Sequence, residues 1–586
     1  MPHYVWKIKN KDFFNQVKGL EQEEFLSRIT QELLKQRGIE NDLAGKEFLN
    51  PSRPADLPLS SFGLSSKNLK RATNIILSAI EQDRPIIIHG DFDADGVCAT
   101  AILWKTIYHY LGYEKCLPFI PDRFEQGYGI SEESLREITN NKFQITNEDQ
   151  KGLLITVDCG ITAEKEINMA QEMGWQVLIT DHHQKSEDVP KVPTLWTDKI
   201  CGAGVAWLIA RRLVELRSNP PHSPAPAAER LLGLVALATV ADVEPLLGAN
   251  RSFVKYGLEV LNESPCIGVQ ELMNVAGVEK GNIGTYELGW LLAPRINSAG
   301  RLASAMDSLR LLCATDRGLA RQLARKLNRL NRERQDKTDS MLSVAQKEAR
   351  VLAEEHKLLV VSHQNFHEGV IGLVANKLSR EFSLPSVAIS ENGKVSKGSA
   401  RSVSGFNIIE ALREMEHLLD GVGGHPMAAG FTIKTELVQE FKKEFLELAS
   451  RMLAGEDLKP ELVIDMQIPP SRISWGLWQT TELFKPYGCS NPAPTFVSTC
   501  GVTNVDAVGR NGNHLKITVQ EIEDAVDDDS LPASFEVIGF GMGHKAAKLQ
   551  LGDVVRIVYS LLENKWNGKR SLELKAKDIR KVHSSS

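Results

Sequence analysis

The sequence predicts an α/β protein: a doubly wound parallel-sheet domain, joined by a long helix to a second α/β domain, with a small β-barrel towards the C-terminus. Three observations carry this expectation. Buried-type β-branched runs at Pro85–His89, Leu153–Val157 and Gln176–Thr180 alternate with helical stretches, the pattern of a parallel sheet covered on both faces. Leu319, Leu323, Leu327 and Leu330 recur at near-helical spacing in a segment running from Asp316 towards Glu355. Beyond 460, short strands such as His514–Val519, Phe535–Phe540 and Val554–Tyr559 are separated by turn residues, as in a barrel.

The elements follow in order. Residues 1–80 read as a helical leader, with a helix over Glu23–Arg37 and a Pro-rich break at Asn50–Pro54 that no helix can cross. Residues 81–264 form the first α/β domain, with helices from Gly96 to about Leu111 and from about Ala163 to Met173. Residues 265–356 are a helical connector, and 357–455 a second α/β domain opening with Leu358–Val361 and Ser386–Ser390. Residues 456–586 hold the barrel, and the run Glu521–Asp529, six acids in nine, reads as a solvated loop. At about 150 residues per domain, a chain of 586 accommodates about four such units.

Composition excludes several classes. Hydrophobic residues at 42% and charged residues at 25% rule out collagen-like and largely disordered chains. The longest apolar stretch, around 231–241, is about half of the ~20 residues a membrane-spanning helix needs. The first residues reach Asp12 without an apolar core of signal-peptide length, and the eight cysteines show no Cys-x-x-Cys spacing. A cytoplasmic protein with reduced thiols and no membrane partner is expected. The net charge of −6, from 69 basic and 75 acidic residues, lacks the bulk basic excess of a nucleic-acid binder.

The chemistry concentrates at strand ends. The first strand runs into His89-Gly-Asp91-Phe-Asp93-Ala-Asp95-Gly96, the second into Asp158, and the third into Asp181-His182-His183. Doubly wound sheets place their sites beyond the carboxyl ends of the strands, so all three acidic termini share one rim. Asp242 follows an apolar helix, a C-terminal position that the macrodipole disfavours for an acid unless a positive partner stands nearby. Carboxylates with one or two imidazoles suit Mn²⁺ or Mg²⁺ rather than a thiolate-bound metal. A pair of ions ~3.5–4 Å apart, bridged by Asp158, would activate water for in-line attack at phosphorus.

These motifs in this order, Asp-x-Asp-x-Asp-Gly at 91–96, Thr-Val-Asp-Cys-Gly at 156–160, Asp-His-His at 181–183 and Ala-Asp at 241–242, resemble the DHH phosphoesterase superfamily. Gly423-Gly424-His425-Pro-Met-Ala-Ala-Gly430 resembles the glycine-rich motif of the associated DHHA1 domain. Ile120–Tyr128, Cys201–Val205, Ala293–Arg301 and His367–Gly372 extend the resemblance, within that superfamily, to single-strand exonucleases over roughly 45–580. Phe484–Phe496 and His514–Lys516 resemble the OB-fold portion of the same proteins. Asp-His-His alone is moderately specific; the ordered series is very specific.

The resemblance implies metal ligation by Asp93, Asp95, Asp158, His183 and Asp242, with His89, Asp91 and His182 assisting the metals or touching the scissile phosphate. It implies that Arg123, Ser399 and Arg401 hold a 5′ end, and that Asn297, Arg301, His367 and a turn at Gly423, Gly424 and His425 contact the strand. Arginine forks and successive glycine amides both suit phosphate. The implied activity is a 5′→3′ exonuclease using two Mn²⁺ or Mg²⁺ ions to cut single-stranded DNA into 5′-mononucleotides in repair and recombination. A monomer working with a helicase and single-strand-binding protein is the corresponding expectation. The alternatives are a phosphoesterase on short oligonucleotides or cyclic dinucleotides, and a non-catalytic single-strand-binding scaffold. Gln184–Ile200 lacks an Asn-Pro segment that many relatives carry, so a strand there should be short or absent. Arg317–Lys337, with eight basic and two acidic residues, reads as a basic track serving an inner channel.

Overall fold

The computed structural model describes residues 4–141, 152–217, 226–455, 457–522, 533–566 and 568–582. It divides into two compact units, one built from Arg53–Glu244 and Phe253–Pro460, the other from Tyr4–Ser52, Pro245–Ser252 and Glu461–Ser586.

In the first unit, five parallel strands lie in the order Cys116–Phe119, Ile86–His89, Leu153–Val157, Gln176–Asp181, Thr194–Trp196. The three strands read from the sequence are all present, and two of them, Ile86–His89 and Leu153–Val157, are buried at every position. Thr194–Trp196 supplies the short strand expected between His183 and Cys201, three residues long. In sequence order the arrangement is 2-1-3-4-5, so the direction of winding reverses between Ile86–His89 and Leu153–Val157. A crevice opens at such a reversal, beyond the carboxyl ends of the two strands. The helix Ala94–Trp104 enters it and is buried almost all round, packing against Gly202–Arg217 and Leu232–Ala241.

The long helix runs from Arg317 to Glu355, 39 residues, capped by Asp316, whose side chain accepts the Leu319 N–H. It leads to a mixed sheet in the order Leu419–His425, Ala428–Lys434, Val395–Arg401, Ser386–Ser390, Leu359–His363. Only the last pair is parallel. The segment Gly423–His425 is a strand here and not a turn: it pairs with Ala428–Gly430, and the reversal falls at Pro426 and Met427. Glycine-rich sequence reads as a turn because nothing local distinguishes a ladder partner.

The second unit contains a closed five-stranded barrel of Phe496–Val508, His514–Gln520, Ser534–Gly539, Val554–Trp566 and Lys569–Lys581. Closure comes from antiparallel pairing of the first with the fourth and parallel pairing of the third with the fifth. Much of the acidic run Glu521–Asp529 lies outside the described residues. The leader differs from expectation. Val5–Asn10 is a strand, parallel to Glu461–Gln467, and residues 4–52 belong to the barrel unit whereas the helix Ser66–Glu81 belongs to the first. The strand's six residues alternate in burial, with Trp6 and Ile8 on one face and Lys7 and Lys9 on the other, but its partner lies over 450 residues away, beyond the reach of a local pattern.

A second departure is Pro245–Ser252, read with the first α/β domain but part of the barrel unit. Its anchor is Arg251, fully buried. Nε donates to the Phe48 carbonyl at 2.6 Å, Nη1 to Phe484 at 3.0 Å and Nη2 to Lys485 at 2.6 Å, with the guanidinium 4.0 Å from the Phe48 ring centroid. Among the described residues no helix is long and apolar enough to cross a membrane, and all eight cysteines are free. Arg251→Met fills similar volume but removes the donor from the Phe48 and Lys485 carbonyls, Phe484 keeping the Asn491 amide at 2.8 Å. With each unpaired carbonyl worth about 1–3 kcal/mol, urea unfolding should show a loss of at least ~2 kcal/mol.

Candidate metal centre and anion cavity

At the switch point, backbone geometry delivers each acid. Asp93 caps the helix Ala94–Trp104, its Oδ1 accepting from the Asp95 and Gly96 amides at 2.9 and 3.1 Å. A side chain at Gly96 would put Cβ 2.6 Å from the Asp91 backbone, so this tight turn admits only glycine. Asp95 accepts from the Gly202 and Ala203 amides, each at 2.7 Å, at the start of Gly202–Arg217. Two helix N-termini thus point at the acids, the end of the dipole that favours negative charge. Asp158 follows its strand at φ 61°, a left-handed conformation unusual for aspartate, of the kind that persists where surrounding structure enforces it.

His182 stands among them. Its Nε2 is 3.0 Å from Asp158 Oδ1, 3.5 Å from Asp95 Oδ2 and 3.7 Å from Asp242 Oδ2, while Nδ1 is 3.4 Å from Glu244 Oε1. His183 turns the other way. Its Nδ1 is 2.8 Å from Asp181 Oδ1 and its Nε2 2.9 Å from the Tyr128 hydroxyl. Asp181 Oδ1 also accepts both backbone amides of the His-His pair, and its Oδ2 accepts the Ile161 amide, so this carboxylate fixes the turn. Three groups of donor atoms converge within metal-binding reach: Asp91, Asp93 and Asp158; Asp95, His182 and Asp242; and Asp158, His182 and His183.

The electrostatics of these groups are those of an uncompensated cluster. Burial and then the neighbouring Asp93 push Asp91 well above the usual carboxylate range, and burial and then Asp95 do the same to Asp158. Burial and Asp95 raise Asp242 to about 8. Burial opposes charge on His182, yet contacts with Asp158 and Glu244 outweigh it and push the imidazole up to about 12. Asp91 Oδ1 is buried without a hydrogen-bond partner, and Asp158 Oδ1, though near His182, makes no aligned hydrogen bond. Buried carboxylate oxygens with lone pairs to spare, beside imidazole, fit Mn²⁺ or Mg²⁺.

A cavity of about 500 Å³ adjoins this cluster, lined among others by Arg123, Arg301, Lys397, Ser399, Arg401 and Gly423. Burial and then Arg123, Arg334 and Arg401 push Arg301 down to about 10; burial and then Arg123 lower Arg401. Guanidinium groups crowded in this way favour an anion between them. Phe92, between Asp91 and Asp93, lines the same cavity with Arg123 5.1 Å over its ring, as does Tyr128, the partner of His183. Cavity and acid cluster are therefore contiguous.

Five of the residues expected to hold the strand, Arg123, Arg301, Ser399, Arg401 and Gly423, meet in this cavity. Others do not line it. Asn297 lies one helical turn before Arg301 with a buried, unpartnered Oδ1. His367 packs edge-on against Phe124 and accepts the Gly369 amide on Nδ1, and Gly424 and His425 are exposed on the edge strand. His89, expected among the assisting groups, is fully buried against Ser134 and Cys159, lowered to about 4 by burial, and belongs to none of the three donor groups. Phe92, Tyr128, Lys397 and Glu244 were not singled out by sequence reasoning. For Tyr128 a signal existed, an aromatic held between Gly127 and Gly129 shortly after Arg123 and Phe124.

Residues 85–239 match the DHH family, N-terminal domain, and residues 355–453 the DHHA1 domain, which with this site makes the protein a metal-dependent phosphoesterase of the DHH class. Residues 464–578 match the RecJ OB domain. The chain belongs to the RecJ family. It is 32% identical to the single-stranded-DNA-specific exonuclease RecJ of Bacillus subtilis over 98% of its own length and 70% of that protein. To the enzyme of that name from Thermus thermophilus it is 33% identical over 92% of its length and 73% of the relative's. The crystal structure of the Thermus thermophilus RecJ in complex with Mn²⁺ matches at a TM-score of 0.77 and 30% identity, covering 95% of this chain and 76% of that one. Its Mg²⁺ complex matches at a TM-score of 0.70.

Metal binding must displace the protons that burial and repulsion hold on this cluster. Titration calorimetry of Mn²⁺ at pH 7 in buffers of different ionisation enthalpy should show net proton release. Between pH 8 and 6 the apparent affinity should fall by about tenfold per pH unit for each proton displaced.

Proposed function

We propose that the chain is a metal-dependent exonuclease that degrades single-stranded DNA from its 5′ end to 5′-mononucleotides, acting in DNA repair and recombination. The observation that carries this reading is the continuity of the arginine cavity with the acid cluster through Phe92 and the Tyr128–His183 pair. An anion seated among Arg123, Arg301, Ser399 and Arg401 would present the next phosphodiester to the carboxylates, which is the geometry of an end-dependent cut. The name of the relatives, single-stranded-DNA-specific exonuclease, and the OB barrel agree with a single-stranded polymer as substrate.

Two ions are the proposed complement, Asp91, Asp93 and Asp158 holding one and Asp95, Asp158, His182 and Asp242 the other. When bound, such a pair supplies an activated water and charge neutralisation for in-line displacement at phosphorus. This division exchanges the roles given to the two histidines by resemblance. His182 Nε2 is 3.0 Å from Asp158, while His183, 3.9 Å from the same carboxylate, has its Nε2 against Tyr128, which lines the cavity, and is placed to donate to a phosphate oxygen. Tyr128 and Asp181 orient His183, and Arg123, Arg301 and Arg401 neutralise the terminal phosphate and fix register. Free cysteines throughout and the absence of a membrane-crossing helix among the described residues support a cytoplasmic setting. Helicase and single-strand-binding protein as partners, and a monomeric state, complete the reading.

Strands blocked at either end, in DNA and RNA, test polarity and substrate together: nucleotide release should stop with a 5′ block only and should need Mn²⁺ or Mg²⁺. Release from 5′-blocked strands, or preference for a dinucleotide over a long oligonucleotide, would sink the proposal. Asp158→Ala should lower kcat by about 10³-fold or more, since metal-assisted charge stabilisation is worth several kcal/mol and each 1.36 kcal/mol is tenfold. Arg401→Ala should instead erase the discrimination between 5′-phosphorylated and 5′-hydroxyl strands, read from kcat/KM on the two substrates.

A further inference from the structure

The helix Leu232–Ala241 ends in a turn that brings two acids to one imidazole. Asp242 is the last helical cap, the Val243 amide donates to the Val240 carbonyl at 3.3 Å, and the Glu244 amide donates to Thr239 at 3.1 Å. This paired closure requires a left-handed residue at its centre, a position where glycine is usual. Here that residue is Val243, at φ 61° and 66% exposed. A β-branched side chain is strained in this conformation, and its exposure leaves little burial to offset the strain. What the turn achieves is placement: Asp242 Oδ2 lies 3.7 Å from His182 Nε2 and Glu244 Oε1 3.4 Å from His182 Nδ1, so the two acids meet opposite sides of one ring.

We infer that Glu244 is a positioning residue of the metal centre, its carboxylate engaging His182 Nδ1 so that Nε2 is presented to an ion shared with Asp95, Asp158 and Asp242. The inference rests on the reading that this cluster holds divalent cations. A carboxylate behind a ligating imidazole selects the tautomer with the proton on the far nitrogen, fixes the ring plane and raises donor strength. Asp181 stands in the equivalent relation to His183, 2.8 Å from its Nδ1. Each histidine of the pair thus has its own acid. The Glu244 side chain is only 13% exposed, which separates it from an incidental surface acid.

The test is Mn²⁺ binding to the full chain without DNA, at fixed pH, followed by the electron paramagnetic resonance of free Mn²⁺. Glu244→Ala should weaken binding by about 10–100-fold, the usual consequence of removing such a partner. Glu244→Gln, whose side-chain oxygen still accepts the Nδ1 proton, should stay close to wild type. Glu244→Asp keeps the charge but withdraws it by one methylene and should fall towards Ala. Melting temperatures of the metal-free proteins report whether each variant is folded, and Gln and Asp decide the matter if Ala is not. Wild-type affinity in both Ala and Asp, or equal damage in Gln and Ala, overturns the role of Glu244. A wild type that binds no Mn²⁺ overturns instead the reading on which it rests.

Discussion

Mutual repulsion among buried carboxylates at the switch point governs the design of the first unit. Asp91, Asp95 and Asp158 are each 2% exposed, and like charges in low dielectric cannot all remain ionised without compensation. The fold supplies part of it, through the amides at the starts of Ala94–Trp104 and Gly202–Arg217 and through the His182 imidazole. Dipoles of this kind offset a fraction of a charge, and the remainder calls for cations. The constraint reaches into residue choice. A Cβ at Gly202 would stand 2.7 Å from the Asp158 side chain, so the helix that compensates Asp95 can approach only because it begins with glycine.

The neighbouring cavity is the electrostatic counterpart. Arg123, Arg301 and Arg401 crowd together as the acids do, each lowered first by burial; Arg123 draws compensation from Asp91, Glu368 and Asp93, and Arg301 from Asp93. Lys397 is partly neutralised by Glu368 at 2.8 Å. A cation-demanding cluster and an anion-demanding cavity side by side fit a substrate that is itself a chain of anions cut by cations. Phe92 and Tyr128 line the cavity where it meets the acid cluster, and the two partly relieve each other there through Arg123 and Arg301 with Asp91 and Asp93.

The strand ends, their acids and the long helix were legible because each is a local pattern: a β-branched run, then an acid, or leucines at helical spacing. The orientations within the Asp-His-His motif were not legible. His182 and His183 are adjacent and chemically identical, both belong to a donor group with Asp158, and how each ring is aimed depends on a turn fixed by Asp181 through two backbone amides at 2.7 and 3.1 Å. His89 likewise carries the right chemistry at the right strand end, yet its ring turns into the core against Phe119. The Val5–Asn10 strand and the Arg251 anchor depend on partners hundreds of residues away, so no window of sequence contains them.

Charge on the connecting helix shows the same limit of one-dimensional reading. Of the eight basic residues in Arg317–Lys337, Arg317 and Arg321 pair with Glu271, Lys326 with Asp307 and Lys337 with Glu333. Glu271 and Asp307 lie on other helices of the connector, so much of the apparent basic track holds the helical layer together rather than facing a ligand. Arg334 is different: its Nε is buried without a partner, and its charge is among those that depress Arg301. Positive potential available to a phosphate chain is therefore found at the cavity and its Arg334 margin, and also on the helix at Arg325, Arg329 and Arg332, which are exposed and in no ion pair among the described residues. The net charge of −6 averages the acid cluster with these basic groups, so it does not report the local field that a phosphate chain meets.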